Sequence, residues 1–178
     1  MAHVISPIHR LMVANRGEIA RRIIRTAHDM GISTVAIYAD ADADAPFVHE
    51  ASTAIALNGK TSAETYLDMA KVIDAAKQSG ADAIHPGYGF LSENETFAQA
   101  VIDADIKWLG PTPEVIGLMG DKLSAKKLMD EAGVPTLPGI EITADTDIAA
   151  AAAQIGYPVL VKASAGGGGR GMRVVHNE

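Results

Sequence analysis

The chain reads as an α/β protein built on a mainly parallel sheet covered by helices. Three observations predict this. Short apolar runs alternate with amphipathic stretches from Arg10 onward. Several of those stretches carry their own helix start and stop signals. The connections are compact, as strand–helix–strand repetition requires.

Leu11–Ala14 is an apolar run and reads as a buried strand, ended by a turn at Asn15-Arg16-Gly17. From Gly17 to Met30, the residues Ile19, Ala20, Ile23, Ile24, Ala27 and Met30 share one helical face. Arg21, Arg22, Arg25 and Asp29 fall largely off it, and Gly31 supplies a stop where positive φ is needed. Thr34–Tyr38 is the second strand. The acidic stretch after it, with Asp40, Asp42 and Asp44, reads as a solvated loop. Ala51–Leu57 is a third, weaker strand. Thr61 and Glu64 have capping-box spacing and predict a helix running to about Ser79, with Leu67, Ala70, Ile73 and Ala76 inward and Gly80 as its stop. Ala81–His85 is the fourth strand. The loop Pro86–Leu91 leads to a second capping box, Ser92 and Glu95, before a helix with Phe97, Ala98, Val101 and Ile102 on its apolar side. Lys107–Leu109 is the fifth strand.

After Gly110 the pattern changes. Thr112-Pro113 places an N-cap before proline at the first helical position. That helix ends near Gly120. Asp121 can cap another reaching Ala132, closed by Gly133 and Pro135. A new unit begins at Gly139. Asp145 or Asp147 caps a short helix through Ala149–Ala153, followed by a strand (Pro158–Ser164), a glycine loop (Ala165–Gly171) and a strand (Met172–Val175).

Composition bounds the function. The chain has 178 residues, 48% hydrophobic, 21% charged and 4% aromatic, as in a soluble globular protein. Fifteen Lys+Arg against 22 Asp+Glu give a net charge of −7. That argues against a general nucleic-acid coat, which needs a basic surface. With no cysteine, thiolate zinc sites, disulfides and thiol nucleophiles are excluded. No apolar run nears the ~18–20 residues of a membrane span, and residues 1–10 do not read as a secretory signal. A cytoplasmic location is expected, with neither nucleic acid nor membrane as partner.

The most informative segment is Pro158–Val175. Gly166, Gly167, Gly168 and Gly169 strip every side chain from a loop, so its amides can approach an anion closely. Lys162 precedes the loop; Arg170 and Arg173 follow it. Gly166, Gly168 and Gly171 satisfy G-x-G-x-x-G, yet a dinucleotide site needs a helix next, and Met172–Val175 is strand-like. A Walker loop needs Lys-Ser/Thr where Met172 and Arg173 stand. A kinase loop carries its lysine downstream, not upstream. What remains is a phosphate-covering hairpin with its lysine on the incoming strand, or else a flexible surface hairpin.

Four strings in register, ANRGEIA (Ala14–Ala20), HPGYGFLSEN (His85–Asn94), MGDKLSA (Met119–Ala125) and KASAGGGGRGMRVV (Lys162–Val175), together resemble biotin carboxylase. This is the ATP-grasp component of biotin-dependent acyl-CoA, pyruvate and urea carboxylases. The resemblance implies a Rossmann-like pre-ATP-grasp domain over 1–111, a helical connector over 112–138, and the incomplete opening of an ATP-grasp lid over 139–178. It implies that ATP with Mg2+ activates bicarbonate to carboxyphosphate, and that the carboxyl group passes to biotin on a carrier domain. Lys122 and Lys162 correspond to nucleotide-binding lysines, and Gly166–Gly169 with Gly171 to the loop that folds over the nucleotide. Tyr88 and Glu93, with His85 and Asn94 less directly, correspond to the biotin and bicarbonate pocket. Arg22 and Arg25 are candidates for a homodimer interface, and a carboxyltransferase subunit is an implied partner. The family's metal-binding carboxylates, catalytic base and enolate-stabilising arginine belong to a later domain. No metal or catalytic residue is therefore assigned here, and the chain alone is expected to be inactive.

The local alternatives are plain. Lys122 could be a solvated lysine and HPGYGFLSEN a structural turn. His85 could be a structural histidine. Arg16 with the amides after Gly17 could draw an anion, or form a tight turn in which Glu18 complements the helix dipole. Arg22 and Arg25 could lie on a solvated helix face. Ala165 stands where the family has a fifth glycine, which implies a stiffer lid. Another ATP-grasp ligase, of the carbamoyl-phosphate or purine-biosynthetic type, and a non-catalytic dimerising module are the competing functions.

Overall fold

The computed structural model describes residues 6–120, 122–162 and 171–178 (backbone only at 122 and 123). The chain divides into two compact units, Met1–Gly117 and Leu118–Glu178.

The first unit holds a five-stranded sheet: β1 (Arg10–Val13), β2 (Ser33–Tyr38), β3 (Thr53–Ala56), β4 (Ala83–His85) and β5 (Lys107–Trp108). All pairings are parallel and the order is β3-β2-β1-β4-β5. Leu11, Met12 and Val13 are all buried, as expected of a central parallel strand covered on both faces. Alternation sorts them. Met12 joins Val35, Ile37, Val72, Ile84, Phe97 and Val101 in one core cluster. Val13 joins Ala20, Ile24, Ala36 and Phe47 in another.

The helices account for those clusters. α1 (Gly17–Asp29) and α2 (Pro46–Glu50) supply Ala20, Ile24 and Phe47 to one face. α3 (Met69–Ser79) and α4 (Glu95–Asp103) supply Val72, Phe97 and Val101 to the other. Burying Ile24 or Phe97 contributes about 1.5–3 kcal/mol each. The Phe97 ring meets Trp108 of β5 edge-on, 5.6 Å between centroids.

Several local expectations are corrected. Met30 is 69% exposed, because α1 ends at Asp29 and Gly31, at φ +74°, turns the chain away. The Thr61–Glu64 box forms, with Glu64 Oε2 accepting from the amides of Lys60 and Thr61 at 2.9 and 3.0 Å, but it closes turns and no helix. α3 begins at Met69, where Asp68 accepts from the Lys71 amide. Its inward face is therefore Val72, Ala75 and Ala76, while Leu67 and Ala70 are exposed. Likewise Asn94, not Ser92, caps α4 through the Phe97 amide at 2.8 Å, and Ile102 turns outward. The acidic stretch is a 3-10 turn, Asp40–Asp42, with Asp42 buried, followed by the unforeseen helix α2.

α5 (Pro113–Gly120) opens at Thr112-Pro113 as the sequence predicts, the Thr112 hydroxyl accepting from the Val115 amide. In the second unit, α6 spans Lys122–Glu131 and α7 spans Ile148–Ile155, capped by Asp147. The expected cap Asp121 lies outside the described residues. β6 (Val159–Lys162) and β7 (Met172–Val175) pair antiparallel, Lys162 opposite Met172. Among the described residues of this unit only Val159 is buried. No helix among the described residues is long and apolar enough to cross a membrane.

Candidate functional site

From β1 the chain winds outward through β2 and β3, then returns to the other side of β1 for β4 and β5. The strand order therefore reverses between β1 and β4. Parallel sheets of this kind take ligands in the crevice beyond the carboxyl ends of such strands. Here that crevice is bordered by Asn15-Arg16-Gly17 and by the loop from His85 to Leu91.

Asn15 joins the two. Its buried side-chain Nδ2 donates to the carbonyls of Pro86 and Tyr88, both at 2.8 Å, and its Oδ1 accepts from the Arg16 amide at 2.9 Å. The loop it holds is conformationally demanding. Gly87, Gly89 and Phe90 all have positive φ, +66°, +68° and +46°. A left-handed phenylalanine is costly and persists only where its surroundings over-determine it. His85 is half-buried and accepts the Gly87 amide at Nδ1, 3.0 Å away. Burial lowers its pKa, which favours the neutral ring with the proton on Nε2.

A second tie runs from β2. The Arg16 Nε donates to Asp42 Oδ2 at 2.7 Å, and its Nη2 donates to Oδ1. The Tyr66 hydroxyl donates to the same Oδ2 at 2.6 Å and accepts from the Ala39 amide at 3.0 Å. The Phe90 ring packs on Tyr66, 5.1 Å between centroids. Burial raises the Asp42 pKa, but the bonds from Arg16 and Tyr66 outweigh it and hold the carboxyl below the usual range. Burial, then the bond to Asp42, pushes the Tyr66 phenol well up. Two of the Arg16 donors are committed to Asp42, while the side chain stays about half exposed.

These groups set an acid dependence. His85 has a folded pKa below its unfolded value of about 6.5, so below that pH the unfolded chain takes up a proton that the folded one refuses. Asp42 and Asp82 have folded values below the unfolded carboxylate range, Asp82 because the amides of Arg10 and His9 and the nearby Lys107 outweigh burial. Their contribution is complete above the unfolded value and is lost as pH falls through the folded one. Both effects have the same sign. Calorimetry between pH 8 and 3 is expected to show a melting temperature that falls below about pH 6.5 and more steeply below about 4. Asp42→Asn should flatten the steeper limb; a melting temperature that rises on acidification from pH 7 to 5 contradicts the assignment.

The other sequence-predicted residues are placed as follows. Tyr88 is 62% exposed at the loop tip, its hydroxyl donating to Glu18 Oε2 at 3.4 Å. Glu93 is exposed in the turn before α4, and Asn94 is the α4 cap. Arg22 and Arg25 are exposed on α1, while their neighbour Arg21 pairs with Glu50. Lys162 is exposed at the end of β6, and Gly171 has φ +76° at the start of the return strand. Lys122 opens α6. Gly166, Gly167, Gly168, Gly169, Ala165 and Arg170 lie outside the described residues. The residues overlooked in the sequence are Asn15, Asp42, Tyr66 and Phe90. A polar Asn directly after an apolar strand was the one available signal. No group of three or more His, Cys, Asp or Glu among the described residues could hold a metal ion.

Comparison with known proteins agrees with this geometry. Residues 7–116 match the family described as biotin carboxylase, N-terminal domain, and residues 121–178 match carbamoyl-phosphate synthase L chain, ATP binding domain. The chain is 51% identical over 175 residues to the biotin-dependent acyl-coenzyme A carboxylase alpha3 subunit of Mycobacterium leprae, covering 97% of this chain and 29% of that protein. It is 50% identical over 171 residues to biotin carboxylase 2 of Bacillus subtilis, covering 95% and 38%. Among solved structures, the biotin carboxylase–β,γ-ATP complex from Campylobacter jejuni superposes with a TM-score of 0.87 at 46% identity, covering 96% and 39%. The biotin carboxylase domain of Hydrogenobacter thermophilus 2-oxoglutarate carboxylase, in complex with MgADP, ADP and bicarbonate, gives 0.85 at 46% identity, covering 96% and 38%. The chain therefore spans less than two-fifths of the length of these relatives. A family match over 7–116, carried on a parallel sheet with its loops gathered at the switch point, establishes that the chain belongs to the biotin carboxylase N-terminal domain family.

Proposed function

We propose that this chain contributes the N-terminal domain (1–111), the helical connector (112–138) and the opening of the lid (139–178) to a cytoplasmic ATP-dependent ligase that carboxylates biotin. The observation that carries the reading is the β6–β7 hairpin. Lys162 is its last paired residue before the glycine loop, and the chain returns as a strand, not a helix. Strand–loop–strand suits a flap over a phosphate tail and disfavours the dinucleotide and Walker alternatives. The C. jejuni and H. thermophilus relatives were solved with nucleotide, the latter also with bicarbonate, which supports the same ligands here.

In this reading Lys162, Lys122 and the amides of Gly166–Gly169 and Gly171 hold the ATP phosphates, for which cations and bare backbone are the appropriate chemistry. Tyr88 and Glu93 border the biotin and bicarbonate pocket, with His85 and Asn94 fixing the loop between them. Magnesium, when bound with ATP, offsets phosphate charge; its ligands belong to other parts of the enzyme. A carrier domain brings biotin, a carboxyltransferase consumes carboxybiotin, and the exposed Arg22 and Arg25 belong to a homodimer face.

The full-length protein is expected to release ADP from ATP only when bicarbonate is present, and to do so faster when free biotin is added. ADP release that is indifferent to biotin but stimulated by an amine donor would assign the chain to another ATP-grasp ligase.

A further inference from the structure

We infer that Asp42, with Arg16 and Tyr66, is a positioning group for the Tyr88 loop: it braces Tyr66, on which Phe90 rests, and so keeps the loop in its left-handed form at the switch point. The inference rests on the reading that Tyr88 borders the biotin pocket. Three observations support it. Asp42 is a buried carboxylate at the carboxyl end of β2, and its two partners come from different loops. Tyr66 is fully enclosed, its hydroxyl donating to Asp42 and accepting the Ala39 amide, so its ring has a defined place. Phe90 sits at φ +46°, two residues from Tyr88, and its ring touches Tyr66. Such a backbone relaxes unless side-chain packing opposes it. Phe90 on Tyr66 supplies that opposition on one side, as Asn15 supplies it on the other.

A group that only stabilised the fold would affect both substrates alike. A group that sets the Tyr88 loop affects biotin selectively. The experiment compares Tyr66→Phe, Asp42→Asn and Phe90→Ala in the full-length enzyme, reading KM for free biotin and KM for ATP from ADP release, with a melting temperature for each. Tyr66→Phe is the mildest: it keeps the ring under Phe90 and removes the bond to Asp42, so it remains informative if Phe90→Ala folds poorly. The expected result is a rise in the biotin KM of about tenfold for Phe90→Ala, a smaller rise for the other two, and an ATP KM within about twofold of the parent. Unchanged biotin KM in Tyr66→Phe and Phe90→Ala overturns the inference. So does a parallel rise in both KM values that tracks the melting temperature, which marks a merely structural cluster. A parent enzyme whose ADP release ignores biotin overturns the proposed function instead.

Discussion

Gly87→Ala is expected to destabilise the N-terminal unit by about 3 kcal/mol, from two separable causes. The residue sits at φ +66°, where an L side chain costs about 1–2 kcal/mol. An added Cβ would also lie 2.8 Å from Asn15 Nδ2 and 3.1 Å from its Cγ. Asn15 cannot swing aside freely, because it is buried and hydrogen-bonded to the carbonyls of Pro86 and Tyr88. Displacing it leaves those carbonyls short of a donor, at about 1–2 kcal/mol. For a unit of this size the melting temperature should drop by roughly 10 °C, read by circular dichroism or calorimetry. Asn15→Gly in the same background removes the clash but leaves the strained backbone. The two substitutions should therefore be clearly sub-additive; strict additivity would mean that the Asn15 contact is irrelevant.

Replacing both Lys162 and Lys122 with methionine should weaken ATP binding to the full-length enzyme by at least about a hundredfold. A hydrogen bond to a charged partner contributes about 1.5–3 kcal/mol, and two lost together correspond to two to four decades in Kd. Lys162 is solvent-exposed at the end of β6, so its replacement should leave the melting temperature alone. Titration calorimetry with ATP provides the measurement. An unchanged Kd in the double variant removes the basis for a nucleotide site on this hairpin.

The sheet was legible because its signals are local. β1, β2 and β4 lie in apolar runs, and Gly31 and Gly80, at φ +74° and +67°, mark helix ends by backbone chemistry alone. The β6–β7 hairpin was readable for the same reason. Capping boxes misled where tertiary contacts intervened: Thr61 and Glu64 pair as their spacing demands, yet Tyr66 is drawn toward Asp42 and the helix waits until Met69. The Asp42 cluster was invisible for a deeper reason. Its members are separated by some two dozen residues or more, and Asp42 sits in an acidic stretch whose solvated appearance is the usual outcome. Only the crossovers bring Arg16, Asp42 and Tyr66 to one end of the sheet. Periodicity reports which face a residue lies on, not which loops will meet.

Because β1 lies in the middle of the sheet yet comes first in the chain, its two edges are satisfied at different times during synthesis. β2 follows within some twenty residues, but β4 arrives only at Ala83–His85. Until then the Leu11–Val13 ladder offers an open, apolar border to any other extended polypeptide. The second border of β1 is thus closed by a long-range pairing, the slower kind to form, and only then can β5 add to β4.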